Sequence, residues 1–201
     1  MSLATYATLA RLGPTVTTAE AAAALDVSVS EASRSLRRLE AADLARHVRY
    51  GLWQIGTGAV DPRSLVDEIT RPYPAYVSFT SALNAHGMLD QLPREISVAS
   101  LEDAKRVKTA FATYTIHHLP PALFGGWIER DGVKLAGPEK ALFDLAYVSA
   151  VHGGRSHRVP ELELPAGFDR SELERWISRI ESPRVRTLTT RGLRSMLARA
   201  E

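Results

Sequence analysis

The sequence predicts an α+β protein, and two kinds of pattern support this fold class. Close to the N-terminus, two stretches with helix-capping signals follow each other across a turn of only a few residues. Farther along, residues 96–99 and 113–117 alternate or cluster as strands do, and Asp131-Gly132 between two such segments is a strong hairpin signal. Helical spacing of apolar residues resumes after Gly137, so the second half is expected to mix helices and strands.

The composition is that of an ordinary globular protein, with 45% hydrophobic and 24% charged residues among 201. The absence of cysteine excludes disulfides and thiolate metal sites. No apolar run approaches the roughly 20 residues of a membrane span, and the N-terminus lacks the basic region of a signal peptide. A cytoplasmic protein without membrane association is therefore expected.

The charge distribution is compatible with nucleic-acid binding without establishing it. The net charge is only +2, although the pI is about 9.0. Four of the 25 basic residues are lysines, which leaves 21 arginines, the side chain best shaped for phosphate and guanine edges. A GC-rich genome would explain this arginine bias equally well.

Three helices are predicted in the first 42 residues. The first is stopped by Gly13-Pro14. The second and third each begin with a capping box, in which a hydroxyl and a carboxylate bind the free amides of the first turn. The two boxes are Thr17 with Glu20 and Ser28 with Glu31. Two capped helices joined by so short a turn are typical of a helix-turn-helix.

The third helix, predicted over residues 29–42, has two distinct faces. Its apolar residues recur at helical spacing and should face the core: Val29, Ala32, Leu36 and Leu39. Small hydroxyls near a helix start, followed by arginines, suit insertion into the DNA major groove. The predicted DNA-binding residues on this helix are Ser30, Ser33, Arg34, Arg37 and Arg38. Taken alone, the same pattern also fits an ordinary solvated helix face.

Residues 45–55 are predicted to form two short strands that turn at Tyr50-Gly51, the wing of a winged helix-turn-helix. We expect Arg46, Arg49 and Tyr50 to lie against DNA, the two arginines on phosphates. His47 fits a DNA contact and a surface position without a role equally well. Leu52, Trp53 and Ile55 should close the core of this domain.

The sequence divides into two predicted domains. Residues 1–57 form the winged helix-turn-helix, and residues 58–74 form a linker. The linker contains a connecting helix that starts at Asp61-Pro62 and runs to Thr70. Residues 75–201 form a mixed α/β C-terminal domain.

Two segments of the C-terminal domain resemble AbiEi-type antitoxins of type IV toxin–antitoxin systems. They are Tyr76-Val77-Ser78-Phe79, followed by Ala82-Leu83 and His86-Gly87, and the run Ala136-Gly137-Pro138-Glu139-Lys140-Ala141-Leu142-Phe143-Asp144-Leu145. In that family a winged helix precedes an α+β domain that carries both motifs, and their order here matches over nearly the whole chain. Residues 151–167 match nothing in the family pattern.

The resemblance implies a repressor that binds inverted repeats of double-stranded DNA in its own promoter. It also implies an antitoxin that counteracts a nucleotidyltransferase-like toxin encoded beside it. Two alternatives remain open. One is a solitary winged-helix regulator whose second domain senses a ligand or dimerises, and the other is a hydrolase or nuclease targeted to DNA.

The sequence motifs favour a protein that is not an enzyme. Phosphate-binding loops, nucleophile elbows and dinucleotide fingerprints do not occur in the sequence. Among six histidines the best pair for a metal is His152 with His157, which is too few ligands. We expect Glu139-Lys140 to cap a helix and bind backbone, His86 to cap another, and Asp103–Lys105 to lie on a solvated helix. No cofactor, metal or catalytic residue is predicted.

The C-terminal segment carries several arginines and, between Pro183 and Ala200, no acidic residue. With a last helix predicted from about Thr190, these arginines are expected to form one positive surface. Its uses are contact with flanking DNA, which we favour, or docking of an acidic toxin surface. The residues concerned are Arg184, Arg186, Arg191 and Arg194.

Overall fold

A computed structural model describes residues 3–153 and 162–200 and confirms the α+β class. The described chain contains eight α-helices and two β-sheets. It forms two compact units: an N-terminal unit that runs to Asp61 and includes Lys108–Ala112, and a C-terminal unit that holds Pro62–Val107 and the chain from Thr113. The residues predicted as a linker after Asp61 lie in the C-terminal unit. No described helix has the length and apolar character needed to cross a membrane.

The N-terminal unit combines three helices with a small antiparallel sheet. In chain order its elements are α1 (Leu3–Ala10), β1 (Thr15–Thr17), α2 (Thr18–Leu25), α3 (Val29–Glu40), β2 (Ala45–Arg49) and β3 (Leu52–Ile55). The strands lie in the order β1-β3-β2. The β2–β3 hairpin and its turn at Tyr50-Gly51 are confirmed, whereas the three-residue β1 was not predicted.

Both predicted capping boxes are present. The Thr17 hydroxyl accepts the Glu20 amide at 3.1 Å, and the Glu20 carboxylate accepts the Thr17 amide at 2.7 Å. Ser28 and Glu31 make the equivalent pair at the start of α3. The hydrogen bonds from Ser28 hold the pKa of Glu31 below its usual range. The short turn between α2 and α3 contains Asp26 in a left-handed conformation.

The core of this unit gathers one face of α3 against the sheet and the other helices. Ala32, Leu36 and Leu39 are buried as predicted, and so are Leu52, Trp53 and Ile55. The prediction for Val29 was wrong, because this side chain is 58% exposed. It occupies the first position of α3, before the helix reaches the core.

The C-terminal unit is built on a six-stranded mixed sheet in the order β6-β7-β5-β4-β9-β8. The strands are β4 (Ala75–Val77), β5 (Ile96–Ser100), β6 (Lys105–Lys108), β7 (Thr113–His118), β8 (Trp127–Arg130) and β9 (Val133–Ala136). The helices are α4 (Val66–Thr70), α5 (Phe79–Ala85), α6 (Pro138–Val151), α7 (Arg170–Ser178) and α8 (Pro183–Leu197). β5 and β7 are parallel neighbours, and so are β4 and β9.

Several local predictions for this unit are confirmed. Asp131 and Gly132 both have positive φ, at 53° and 73°, as a tight hairpin turn requires. Gly87, at φ 71°, follows the end of α5. In α6, Ala141, Leu142 and Ala146 are buried, whereas Leu145 is only half-buried.

Three other predictions for this unit were wrong. The connecting helix is divided into a 3-10 segment, Pro62–Leu65, and the short α4. Lys105–Lys108 form the edge strand β6 rather than a solvated helix, because pairing with the sheet outweighs the charge pattern. The last helix begins at Pro183, well before Thr190, because the Ser182 hydroxyl caps it and proline suits its first turn.

Candidate nucleic-acid interface

A groove of about 770 Å³ lies in the N-terminal unit between α3, the first turn of α2 and the β2–β3 hairpin. Four residues predicted to contact DNA line it: Ser30, Ser33, Arg37 and Tyr50. The Tyr50 side chain stands at the hairpin turn and is 96% exposed. The groove therefore brings one face of α3 and the tip of the hairpin to a common surface.

The hairpin is held to the helices by polar contacts along the groove floor. The Thr18 amide donates to the Gly51 carbonyl at 2.9 Å, and the Trp53 indole nitrogen donates to the Thr18 hydroxyl at 3.1 Å. On the other side the His47 amide donates to the Glu40 carboxylate at 3.0 Å. These contacts link the hairpin to both α2 and α3, so its position beside α3 is fixed from two directions.

Sequence reasoning did not assign Thr18, Glu40 or Trp53 to this surface, and it left His47 open between a DNA contact and a surface position without a role. Trp53 is buried, and its ring lies 4.6 Å from the half-buried ring of His47. The capping box explains the role of Thr17, and no pattern in the sequence indicates a separate role for its neighbour Thr18. The alternation along β2 and β3 could have indicated that His47 and Trp53 share a face.

The remaining α3 arginines lie outside the groove lining. Arg34 and Arg38 are exposed on α3, which agrees with their predicted position on its polar face. The Arg34 Nε lies 3.5 Å from the Ser30 carbonyl oxygen, one turn back along the helix. Arg37 is thus the arginine of α3 that lines the groove, while Arg34 and Arg38 present charge beside it.

The two hairpin arginines have different surroundings. The Arg46 guanidinium stands 5.5 Å from the centre of the Phe111 ring, in the Lys108–Ala112 segment of the same unit. The Ala110 amide also donates to the Val48 carbonyl at 3.0 Å, so this segment lies along β2. Arg49 is half-buried beside an irregularity in the β2–β3 register. Neither arginine lines the groove.

The sequence assigns both hairpin arginines to phosphate contacts, and this assignment can be tested even though Arg46 packs on Phe111 and Arg49 is half-buried. Arg46→Ala and Arg49→Ala should each weaken binding to every DNA sequence by a similar factor, because phosphate contacts carry no sequence information. The dependence of log affinity on log salt should become shallower by about 0.9 for each phosphate that the variant no longer neutralises. Fluorescence anisotropy at several salt concentrations measures both quantities. Weaker binding to one sequence alone would mean that the hairpin reads bases.

The family-like motifs of the C-terminal unit meet in a buried polar cluster rather than an open site. Lys140 and Asp144 form an ion pair within α6, and both are fully buried. Asp144 also accepts the Ser78 hydroxyl at 2.7 Å and the Tyr76 hydroxyl at 3.1 Å. Burial raises the pKa of Asp144 and lowers that of Lys140, because the protein shields both charged groups from water. Aromatic rings surround the ammonium, with the Trp176 ring centre 4.5 Å away.

The neighbouring polar predictions had mixed outcomes. Glu139 does bind backbone, since it accepts the Asp169 amide at 2.7 Å. Lys140 instead belongs to the buried ion pair, so its predicted backbone role was wrong. His86 is the C-cap residue of α5, as expected, but its ring contacts the Ala136 carbonyl at 2.7 Å rather than the end of its own helix.

The C-terminal arginines lie on α8, exposed and in the C-terminal unit. Arg186, Arg191 and Arg194 border a shallow depression of about 380 Å³ together with Thr187 and Thr190. The Arg186 guanidinium is already engaged, because its Nε donates to the Ile180 carbonyl at 3.0 Å. Arg186 therefore holds the α7–α8 turn, so a test of the charged surface should change Arg184, Arg191 and Arg194 instead.

Within residues 3–153 and 162–200, no three His, Asp or Glu side chains lie close enough together to hold a metal ion. His157, one member of the best predicted pair, lies outside the described residues. No protein-family model matches this chain, and no curated protein matches its sequence. The interpretation of function therefore depends on the groove and on the motifs themselves.

Proposed function

We propose that this protein is a DNA-binding transcriptional repressor whose N-terminal unit acts as a winged helix-turn-helix. In this proposal α3 is the recognition helix in the major groove, and the β2–β3 hairpin is the wing against the phosphate backbone. The observation that carries the proposal is the groove between them, which is lined by Arg37, by the serines Ser30 and Ser33 of α3 and by the exposed Tyr50 at the hairpin tip.

The chemistry of the groove supports a nucleic-acid ligand over a small apolar one. Arg37 offers the planar fork that pairs with guanine, and Ser30 and Ser33 offer small hydroxyls to either kind of base pair. The Glu40 carboxylate also lines the groove; its hydrogen bond from the His47 amide fixes its position but leaves its negative charge, which Arg37 in the same lining offsets. The exposed Arg34 and Arg38 add positive charge on the same helix.

The experiment that tests this proposal is a gel-shift titration with DNA from upstream of the protein's own reading frame. Specific binding, competed poorly by unrelated DNA and leaving the duplex uncut, is the expected result. Binding followed by cleavage would favour the alternative of a targeted nuclease. No retardation at low salt would refute the proposal.

We also propose the more specific role of an AbiEi-type antitoxin and autorepressor that acts on inverted repeats in the cytoplasm. The resemblance of the residues around Ser78 and of Gly137–Leu145 to that family supports this role. Co-expression with the product of the adjacent gene tests it. The proposed role predicts rescue of growth from a nucleotidyltransferase-like toxin. If the neighbour is harmless, a solitary regulator with a ligand-sensing or dimerising second domain is the better account.

A further inference from the structure

A cleft of about 320 Å³ lies in the C-terminal unit between one face of the six-stranded sheet and α6. Ser97 on β5 is the register partner of Thr115 on the parallel strand β7, so their hydroxyls stand side by side on the sheet. Leu145 and Val148 of α6 form the opposite, apolar wall. A cleft of this size, with one apolar wall and a few polar groups, is typical of a small-molecule site.

A strained residue forms part of this cleft. Phe79 opens α5 with a φ of 53°, a left-handed conformation that is rare for a bulky side chain. Its ring centre lies 4.4 Å from that of His117 on β7, and both residues line the cleft. Strained residues of this kind cluster at functional sites, where the surrounding structure holds them in place. Phe79 itself is only 2% exposed, so the half-buried His117 ring, packed against Phe79, is the aromatic surface of the cleft.

The cleft also carries a surplus cation. Arg94 is exposed, and no carboxylate in the described part of the chain pairs with it. The adjacent Glu95 is different, because Arg106 and Thr115 both donate to its carboxylate. The hydrogen bond from Arg106 is the main reason that the pKa of Glu95 lies below its usual range. The negative charge at the cleft is thus already matched, and Arg94 leaves a surplus positive charge.

We propose that this cleft binds a small aromatic carboxylate. The ring of the ligand lies against His117, which Phe79 supports from behind, and its carboxylate meets the Arg94 guanidinium in a charge-assisted pair. A hydroxyl on the ring reaches the polar row formed by Ser97 and Thr115. The proposal uses residues of the C-terminal unit alone, so it stands or falls independently of the proposed DNA binding.

Three probes of similar size test this assignment by NMR titration of the full chain. They are 4-hydroxybenzoate, its neutral isostere 4-hydroxybenzamide, and the non-planar trans-4-hydroxycyclohexanecarboxylate. Saturable shifts of the Ser97, Thr115 and His117 amides are expected with 4-hydroxybenzoate. Both other probes should bind at least roughly ten-fold more weakly, since each lacks either the charged partner for Arg94 or the flat ring.

Variants of Arg94 distinguish a specific carboxylate site from non-specific binding of the probes. Arg94→Gln should weaken binding of 4-hydroxybenzoate roughly ten-fold and leave 4-hydroxybenzamide unchanged, because only the acid uses the guanidinium. Arg94→Lys should retain most of the affinity, and Arg130→Gln, an exposed arginine outside the cleft, should change nothing. Absence of saturable shifts, equal affinity for acid and amide, or an unchanged Arg94→Gln variant would each overturn the proposal.

Discussion

Lys140→Met should be among the most destabilising single substitutions in the C-terminal unit, with an expected loss of about 3–5 kcal/mol in the free energy of unfolding. The pair of Lys140 with Asp144 is fully buried, so removal of the ammonium leaves a carboxylate without its counter-charge. Since domains are stable by only about 5–15 kcal/mol, this is a large share of the total. Denaturant unfolding measures the loss directly.

The loss of unfolding free energy in the Lys140→Met variant should also depend on pH, in a direction that can be predicted. Burial already raises the pKa of Asp144, and loss of the ammonium removes the main group that lowers it. A carboxyl whose pKa is higher in the folded state destabilises the protein as pH rises above its unfolded pKa. The deficit relative to wild type should therefore shrink toward pH 4 and grow toward neutral pH.

The double variant Lys140→Met with Asp144→Asn is the matched control for this prediction. An asparagine side chain still accepts hydrogen bonds from Ser78 and Tyr76 but carries no charge to be left unpaired. Most of the lost stability should therefore return, and the pH dependence of the deficit should disappear. Equal deficits in the single and double variants would mean that packing, rather than the ion pair, sets the cost.

The second large effect is expected at the groove. Arg37→Ala should reduce affinity for the specific DNA site by about 1–3 kcal/mol, since an arginine that reads a guanine edge contributes that much. Arg34→Ala should cost less, because this side chain lies beside the groove rather than in its lining. Together the two substitutions should abolish specific binding while leaving weak non-specific binding. Competition anisotropy with specific and scrambled duplexes separates the two.

Arg38→Ala is the matched control on the same helix. It removes the same charge from an exposed position of α3 that does not line the groove. We expect a small decrease in affinity that is similar for all sequences, as for a phosphate contact. If Arg38→Ala and Arg37→Ala change specificity equally, the arginine in the groove lining has no special role in reading bases, and the proposed orientation of α3 on DNA is wrong.

Local chemistry made parts of this structure predictable. Capping at Thr17 and Ser28 is decided within four residues, and the Asp131-Gly132 turn is decided within two, so each signal is complete in the sequence. The start of α8 at Ser182-Pro183 is just as local, because a capping serine stands directly before a first-turn proline. Placing that start at Thr190 neglected this local signal.

Other features arise only when distant segments meet. Phe111 reaches Arg46 from a segment more than sixty residues away, so neither residue predicts the contact. Lys140 and Asp144 have the spacing of an ordinary surface pair on a helix. Their burial depends on residues from other elements. Tyr76 lies on β4, Ser78 directly follows it, and the Trp176 ring comes from α7. The groove residues that anchor the hairpin were missed for the same reason.

We propose that DNA occupies the groove between α3 and the β2–β3 hairpin, and the absence of native cysteine allows a direct test. Ser33→Cys places a unique thiol in the groove lining, where an attached iron chelate can cleave nearby DNA. Ala42→Cys, exposed just beyond α3 and outside the groove, serves as the control. We expect cuts confined to the specific site with Ser33→Cys and much weaker cutting with Ala42→Cys. Binding with no cuts from Ser33→Cys, or stronger cuts from Ala42→Cys, would contradict this proposal.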